Sequence, residues 1–434
     1  MLQTAIAMKR HFPEFEQMLS DLPDFRKRPQ YEIRELTMAV ISMFLYKRGS
    51  RNHADNSADK LYYRQNIEQV YKIKLPDLDT ADRLMRVLDP AKLEAIKQKM
   101  VSILLRGKVL RKFRIEGFYY NIAIDGTGVH SYDYEPYPEC PFKKYKSGKK
   151  VWTAQVLEAK IVCSNGFSIS VATEWIKNPA DKKFDKQDCE LKAFVRLSAK
   201  LKKSFSRLPI CISADGLYPN NTVFNICEKN NWKYIITLKD GNLKSVWEEI
   251  GFLDRINDNI KFEVPRIELD KRIKYHYKAY LNIEYQKHKL NIIDLTIKNT
   301  LIKTNEKEDD KRFAHVTNLK LSRQNIKEIS SAGRLRWKIE NEGFNEQKNG
   351  GYNLKHKYSR KSFIATQNYY QCLQIGHMIN QLAFKAKVIK EFIKGNDTLK
   401  SNNELAVALL MVKDFKEIAT ITEQIINQNR HFIY

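Results

Sequence analysis

The chain has 434 residues, with 76 Lys and Arg against 51 Asp and Glu, for a net charge of +25. That length is enough for two or three domains and a sizeable core, and 22 Tyr and 21 Phe exclude a disordered basic coat. The positive charge runs along the whole chain instead of one tail, so it favours a polyanion, nucleic acid first.

Cysteines stand at 140, 163, 189, 211, 227 and 372 with no CxxC or CxxH spacing, which argues against structural zinc and for free thiols in a reducing compartment. The first residues lack the apolar run of a signal peptide, and the longest apolar stretch, 36–46, is too short to span a bilayer. The expectation is a cytoplasmic protein with no membrane partner.

Residues 1–112 read as helical, a DNA-binding or scaffold domain. Ile33, Leu36, Val40, Met43 and Phe44 mark one buried helix face. A second helix is expected with Asp79 as its N-cap, and a third over 90–112. From 118 the pattern changes to short apolar strands. Tyr120, Ile122 and Ile124 alternate and lead into Asp125-Gly126-Thr127-Gly128. Two strands, 152–162 and 167–175, flank Asn165-Gly166, the dipeptide of a type I′ hairpin. A helix (191–201), a strand (210–214) ending on Asp215, a helix (220–229) and a strand (234–238) follow. Three antiparallel strands, then helix, strand, helix, strand, is the element order of an RNase H-like core: a mixed α/β fold. In it the first and fourth strands run side by side and parallel, so Asp125 and Asp215 are expected at one edge.

Over 258–300 the residues alternate with period two. Ile273, Tyr275, Tyr277, Ala279, Leu281, Ile283 and Tyr285 form one face, and Arg272, Lys274, His276 and Lys278 the other. This reads as a β-rich insertion with a wet, basic side. A strand is expected at 313–317. Residues 333–356 open as a helix, with Arg336, Glu340 and Phe344 spaced by four on one face, and end at Asn349-Gly350-Gly351. The tail from 363 is helical and continues into a basic helix carrying Lys385, Lys387 and Lys390.

Asp125, Asp215 and Glu340 together suggest metal chemistry. Two Mg²⁺ ions about 4 Å apart would stabilise the attacking and leaving oxygens of a phosphodiester, and such hard cations take oxygen ligands from one or two carboxylates each. Each acid alone has a plainer reading: Asp-Gly is turn chemistry, and a helical Glu is ordinarily a solvated charge. Trp337 reads as a core residue, or as a platform for a flipped base; His130 reads as structural, and 186–190 as a helix start after a loop or as groups that orient the metal ligands.

With AIDGTG, KQDCELKAFVRL, ISADGLY and RWKIENEGFNEQKNGGYNLKH, the chain from about 123 to 356 resembles the DDE transposases of bacterial insertion sequences. The branch is the one whose RNase H-like domain carries a β-rich insertion before its final Glu. The resemblance implies domains at 1–112, 113–245, 246–312, 313–360 and 361–434, and Asp125, Asp215 and Glu340 as catalytic metal ligands for two Mg²⁺, which Mn²⁺ can replace. It implies double-stranded DNA as partner (transposon ends and target), a homodimer on that DNA, and cleavage followed by attack of a free 3′-OH in a nucleoid-associated bacterial protein. The branch places Tyr, Arg, Glu and Lys at fixed spacing. Arg336 and Glu340 fit; Gly333 stands at the Tyr position and Gln347 at the Lys position, with Lys348 one step late. Arg336 and Lys348, with Lys274 and Lys278 of the insertion, are the expected DNA contacts. Two alternatives remain: an RNase H-like nuclease of repair or recombination, and a domesticated, catalytically inactive DNA-binding protein.

Overall fold

The computed structural model describes residues 2–59, 62–179, 181, 186–302, 304, 306–360 and 362–384; the predicted basic helix at Lys385, Lys387 and Lys390 lies outside them. The N-terminal part is helical: Leu2–His11, Phe15–Ser20, Ile33–Leu45, Arg51–Ala58, Tyr63–Tyr71, Leu78–Met85 and Pro90–Arg106. Ile33–Leu45 is buried all round except at Arg34 and Glu35, because the helix Phe363–Phe384 packs along it and also along Leu2–His11 and Pro90–Arg106. The two chain ends thus share one bundle and one core. Asp89 caps the helix that begins at Pro90, accepting the Ala91 N–H at 3.0 Å. That helix stops at Gly107, short of the expected 112. Asp77, not Asp79, holds the N-cap position of its predecessor.

The second part is one ten-stranded sheet. Its strands are β1 (Tyr120–Tyr132), β2 (Phe142–Lys144), β3 (Lys150–Val162), β4 (Ser168–Ile176), β5 (Ile210–Ala214), β6 (Lys233–Thr237), β7 (Ile260–Glu268), β8 (Lys271–Tyr285), β9 (His288–Leu301) and β10 (Lys311–Thr317). The order is β2-β3-β1-β5-β6-β10-β9-β8-β7, with β4 also paired to β3. β1 runs antiparallel to β3 and parallel to β5, which is parallel to β6. The hairpin of β3 and β4 forms, but its turn is not type I′: of Asn165 and Gly166 only Gly166 has positive φ, +90°. The Gly166 N–H donates to Cys163 O at 3.0 Å, a three-residue loop with one left-handed glycine.

The expected insertion adds to this sheet instead of standing apart. β10 pairs with β6 on one side and β9 on the other, so β7 to β9 extend it. The alternation along β8 breaks at an irregularity between Tyr280 and Ile283, where Asn282 has φ +56°. Tyr280 is buried there, and Leu281 is 40% exposed. The basic side is partly covered by the helix Lys244–Arg255, whose Asp254 pairs with Lys278 at 2.8 Å, while His276 pairs with Glu263 of the neighbouring β7 at 2.7 Å. Among the described residues no helix is long and apolar enough to cross a membrane, and all six cysteines are free.

Candidate active site

The parallel register of β1 and β5 runs from Tyr120–Ile210 to Ala123–Ser213. Asp125 and Asp215 each stand two residues beyond the last pair, so they share one edge and one face. Asp125 does not end its strand. β1 continues to Tyr132, paired with β3, so Asp125-Gly126 is strand here and not a turn. Asp215-Gly216 is a turn, and the Asp215 carboxylate accepts the Leu217 N–H at 2.8 Å.

Glu340 arrives from the far end of the fold. The helix Ile326–Arg334 leads through a short turn into a π-helical segment, Ile339–Asn345, and a last α-turn, Glu346–Asn349. Ile339 and Phe344 pack with Ala123 and Val162, pinning the segment onto β1 and β3. Beneath it lies Lys160, wholly buried, its ammonium 4.8 Å from the centre of the Phe344 ring and without a hydrogen-bond partner among the described residues. Burial pushes that lysine down to about 8. The predicted stacking of Arg336, Glu340 and Phe344 on one face therefore does not hold. Phe344 turns into the core, while Glu340 remains half-exposed and accepts from Arg336 Nη1 at 2.8 Å.

Arg336 also lies 3.8 Å from an Asp125 oxygen, so one guanidinium bridges two of the three acids. Even so, the Asp125 carboxyl is pushed up from 3.8 to about 7, first by burial, then by Glu340, with Glu190 and Asp215 adding repulsion that Arg336 offsets. Glu190 belongs to the stretch 186–190, read from the sequence as a helix start or as orienting groups, and it adjoins the acids. Its carboxylate sits where a Cβ on Gly126 would be, 2.5 Å away, and accepts from the Tyr218 hydroxyl at 3.2 Å. Burial raises its pKa too, with Asp215 adding to the effect. Nothing in the spacing of KQDCE links that Glu to Asp125; the packing of the helix Glu190–Ser204 against β3 and β4 does.

An all-oxygen donor set with excess negative charge suits a hard divalent cation. As the side chains stand, however, no three of His, Cys, Asp or Glu among the described residues converge on one ion position. Arg336 occupies the space between Asp125 and Glu340, so a cation there would compete with the guanidinium.

The displaced lysine is explained by the π segment. A π-helical turn takes in one residue more than an α-turn, so Lys348 falls where the seventh residue after Glu340 would lie on a regular helix. Its Nζ donates to Thr127 Oγ1 at 2.6 Å, two residues from Asp125. Gln347 instead is wholly buried and bonds Gln374 at 2.9 Å and His377 at 3.1 Å. The extra residue is absorbed within 339–345, ahead of the glycines 350 and 351 that end the segment. At Gly333 a Cβ would meet His315 and Ile235 at 2.7 Å, so no tyrosine fits.

Trp337 is 52% exposed with the Arg336 guanidinium 5.1 Å from its ring, which corrects the core assignment. It lines a cleft with Asp215, Lys239, Arg312, Arg334 and Arg336. His130 is a buried structural residue, its ring 3.3 Å from Lys355 O and lowered to about 4 by burial. Lys274 and Lys278 are not part of this site. β8 lies five strand spacings from β1, about 24 Å at ~4.8 Å each.

Fold and site define a mixed α/β protein with a strained acidic centre at a sheet edge, ringed by Arg and Lys. Compared with known proteins, the chain matches no protein-family profile and no curated protein.

Proposed function

We propose that the protein is a DDE transposase of a bacterial insertion sequence, an RNase H-like enzyme with a β-rich insertion that works on double-stranded DNA as a homodimer. One observation carries the reading: Asp125 and Asp215 each stand two residues beyond the last pair of the parallel β1 and β5 register, with Glu340 joined to Asp125 through Arg336, in a chain of net charge +25. Asp125, Asp215 and Glu340 would hold Mg²⁺, or Mn²⁺ in its place, with Glu190 adjacent. When bound, the metal would activate water and stabilise charge on the phosphodiester. Arg336 and Lys348 flank the acids and suit backbone phosphates. The test is incubation of the purified protein with Mg²⁺ and a labelled element end, identified by short inverted repeats beside the gene. Metal-dependent strand cleavage followed by joining to target DNA is the expected result; cleavage without joining would favour a repair or recombination nuclease.

A second reading is favoured by the ion pair of Arg336 with Glu340. In a domesticated DNA-binding protein that guanidinium would be the permanent counter-ion of the acids. Such a protein binds the end tightly and leaves it uncut at every Mg²⁺ concentration.

A further inference from the structure

Between the start of the helix Arg51–Ala58 and the stretch of residues 356–360 lies a second cleft, of about 640 Å³. Its walls include Ser50, Arg51, Arg86, His356, Lys357 and Arg360, and among the described residues no carboxylate lines it. The arginines are fastened from behind. Asp82, 1% exposed, accepts from Arg51 at 3.3 Å, Arg86 at 2.6 Å and the Tyr369 hydroxyl at 3.1 Å. The exposed Asp79 meets Arg51 at 2.8 Å. Arg360 has no ion-pair partner among the described residues. The two walls face one another across His356, whose pKa is lowered by burial and then by Arg51 and Arg360. Four permanent cations, Arg51, Arg86, Lys357 and Arg360, line the cleft against two carboxylates, the buried Asp82 and the exposed Asp79. The remaining excess of positive charge favours an anion in the cleft.

The cleft is also tied to the acidic edge. The stretch 356–360 follows directly from the segment bearing Glu340 and Lys348. The carbonyl of Lys355 meets His130 on β1, and Lys357 lies 4.4 Å from the ring of Tyr132 on the same strand. A line of cations, Lys348, Lys355, Lys357 and Arg360, leads from Asp125 towards the cleft. Forked guanidiniums with serine hydroxyls nearby match the oxygens of a phosphate group.

We propose that this cleft is a phosphate seat that takes one backbone phosphate of a nucleic-acid strand whose reacting phosphate lies at the acids. This rests on the nucleic-acid reading above, and free phosphate is the other source of the same chemistry.

The experiment uses the full chain. Anisotropy of a labelled duplex is measured over a range of salt for the native protein, Arg360→Gln, Arg86→Gln and Arg360→Lys, and the thermal midpoint is followed with inorganic phosphate. Arg360→Gln is expected to bind about tenfold more weakly, the size of one charge-assisted contact. The slope of log K against log salt should flatten by about 0.9, and Arg360→Lys should restore most of both. If Arg86→Gln does not fold, Arg360→Gln decides. Unchanged affinity and slope in Arg360→Gln would overturn the proposal. If the native protein ignores the duplex, the nucleic-acid reading falls. The seat then stands only if inorganic phosphate raises the midpoint of the native protein and not of Arg360→Gln, and it falls if phosphate has no effect.

Discussion

The two halves of the sheet treat charge in opposite ways. In the half built from β7 to β10, basic residues are numerous but matched: Lys278 with Asp254, His276 with Glu263, Arg312 with Asp294 and Asp240, Lys271 with Glu308. At the ends of the paired β1 and β5 register the charges are in conflict. Asp125 faces Glu340, Glu190 and Asp215, with Arg336 and Lys348 to offset them. The density of Lys and Arg in the sequence pointed to the first half as a DNA grip. Unresolved electrostatics point to the second, and perturbed groups in a cleft are the better guide to chemistry.

The largest expected effect breaks the acidic half. As a hypothesis, Asp125→Ala, Asp215→Ala and Glu340→Ala each lower Mg²⁺-dependent strand cleavage by about a thousandfold or more, equivalent to ~4 kcal/mol of barrier. End binding stays near normal in gel-shift titrations, since Lys and Arg supply the affinity. Near-native cleavage by any one variant would remove that acid from the site.

The next effect is on stability and concerns Asp125 alone. Its folded pKa, about 7, lies above its ordinary 3.8, so the unfolded chain releases this proton first as pH rises. Stability is therefore lost between about pH 4 and pH 7 and is flat above, by at most on the order of 4 kcal/mol. Asp125→Asn should remove that slope in urea unfolding followed against pH, and Mg²⁺ should reduce the difference from the native protein at pH 8. Parallel pH curves for the two proteins would show that burial and the neighbouring acids do not raise the Asp125 pKa.

Smaller effects sharpen the contrast. Gly333→Ala places a Cβ 2.7 Å from His315 and Ile235 and should cost about 1–3 kcal/mol in chemical denaturation; a neutral result would mean the helix 326–334 can move off β6. Gln347→Ala should destabilise by about 1–3 kcal/mol, because it leaves buried partners on Gln374 and His377 unpaired. Lys348→Ala should leave the midpoint unchanged and weaken end binding, and the reverse assignment would refute the realignment. Least of all, Lys274→Ser should flatten the salt slope by no more than about 0.9. Lys278→Ser, already neutralised by Asp254, should flatten it less, and equal slopes for the two would show that the ion pair opens on DNA.

Much of this architecture was legible because local signals agreed with the global fold. The alternation at Tyr120, Ile122 and Ile124 gave β1, and the turn residues after β3 gave the hairpin. The element order placed β1 beside β5 and so brought Asp125 to Asp215. What sequence could not give was long-range. Glu190 reaches Asp125 only because Gly126 has no side chain. Leu281 looked like a continuation of the apolar face, yet a one-residue irregularity turns it outward. Trp337 has the size of a core residue, but its neighbours leave it in a cleft. The basic face of β8 is wet as read at Arg272 and Lys274, but nothing in its own sequence announces that Asp254 of Lys244–Arg255 meets Lys278.

The π segment at Ile339–Asn345 has one more consequence, for chain length. Eight positions from Glu340 to Lys348 are wound through the angle that seven would occupy on a uniform helix, so the segment carries an absorbed insertion. Deleting Asn341 should let the run anneal into ordinary α-helix and set the lysine seven places after the glutamate, with Gln347 kept on its buried side. A one-codon loss there is thus expected to be tolerated where the same loss on β1 would flip every side chain to the other face of the sheet.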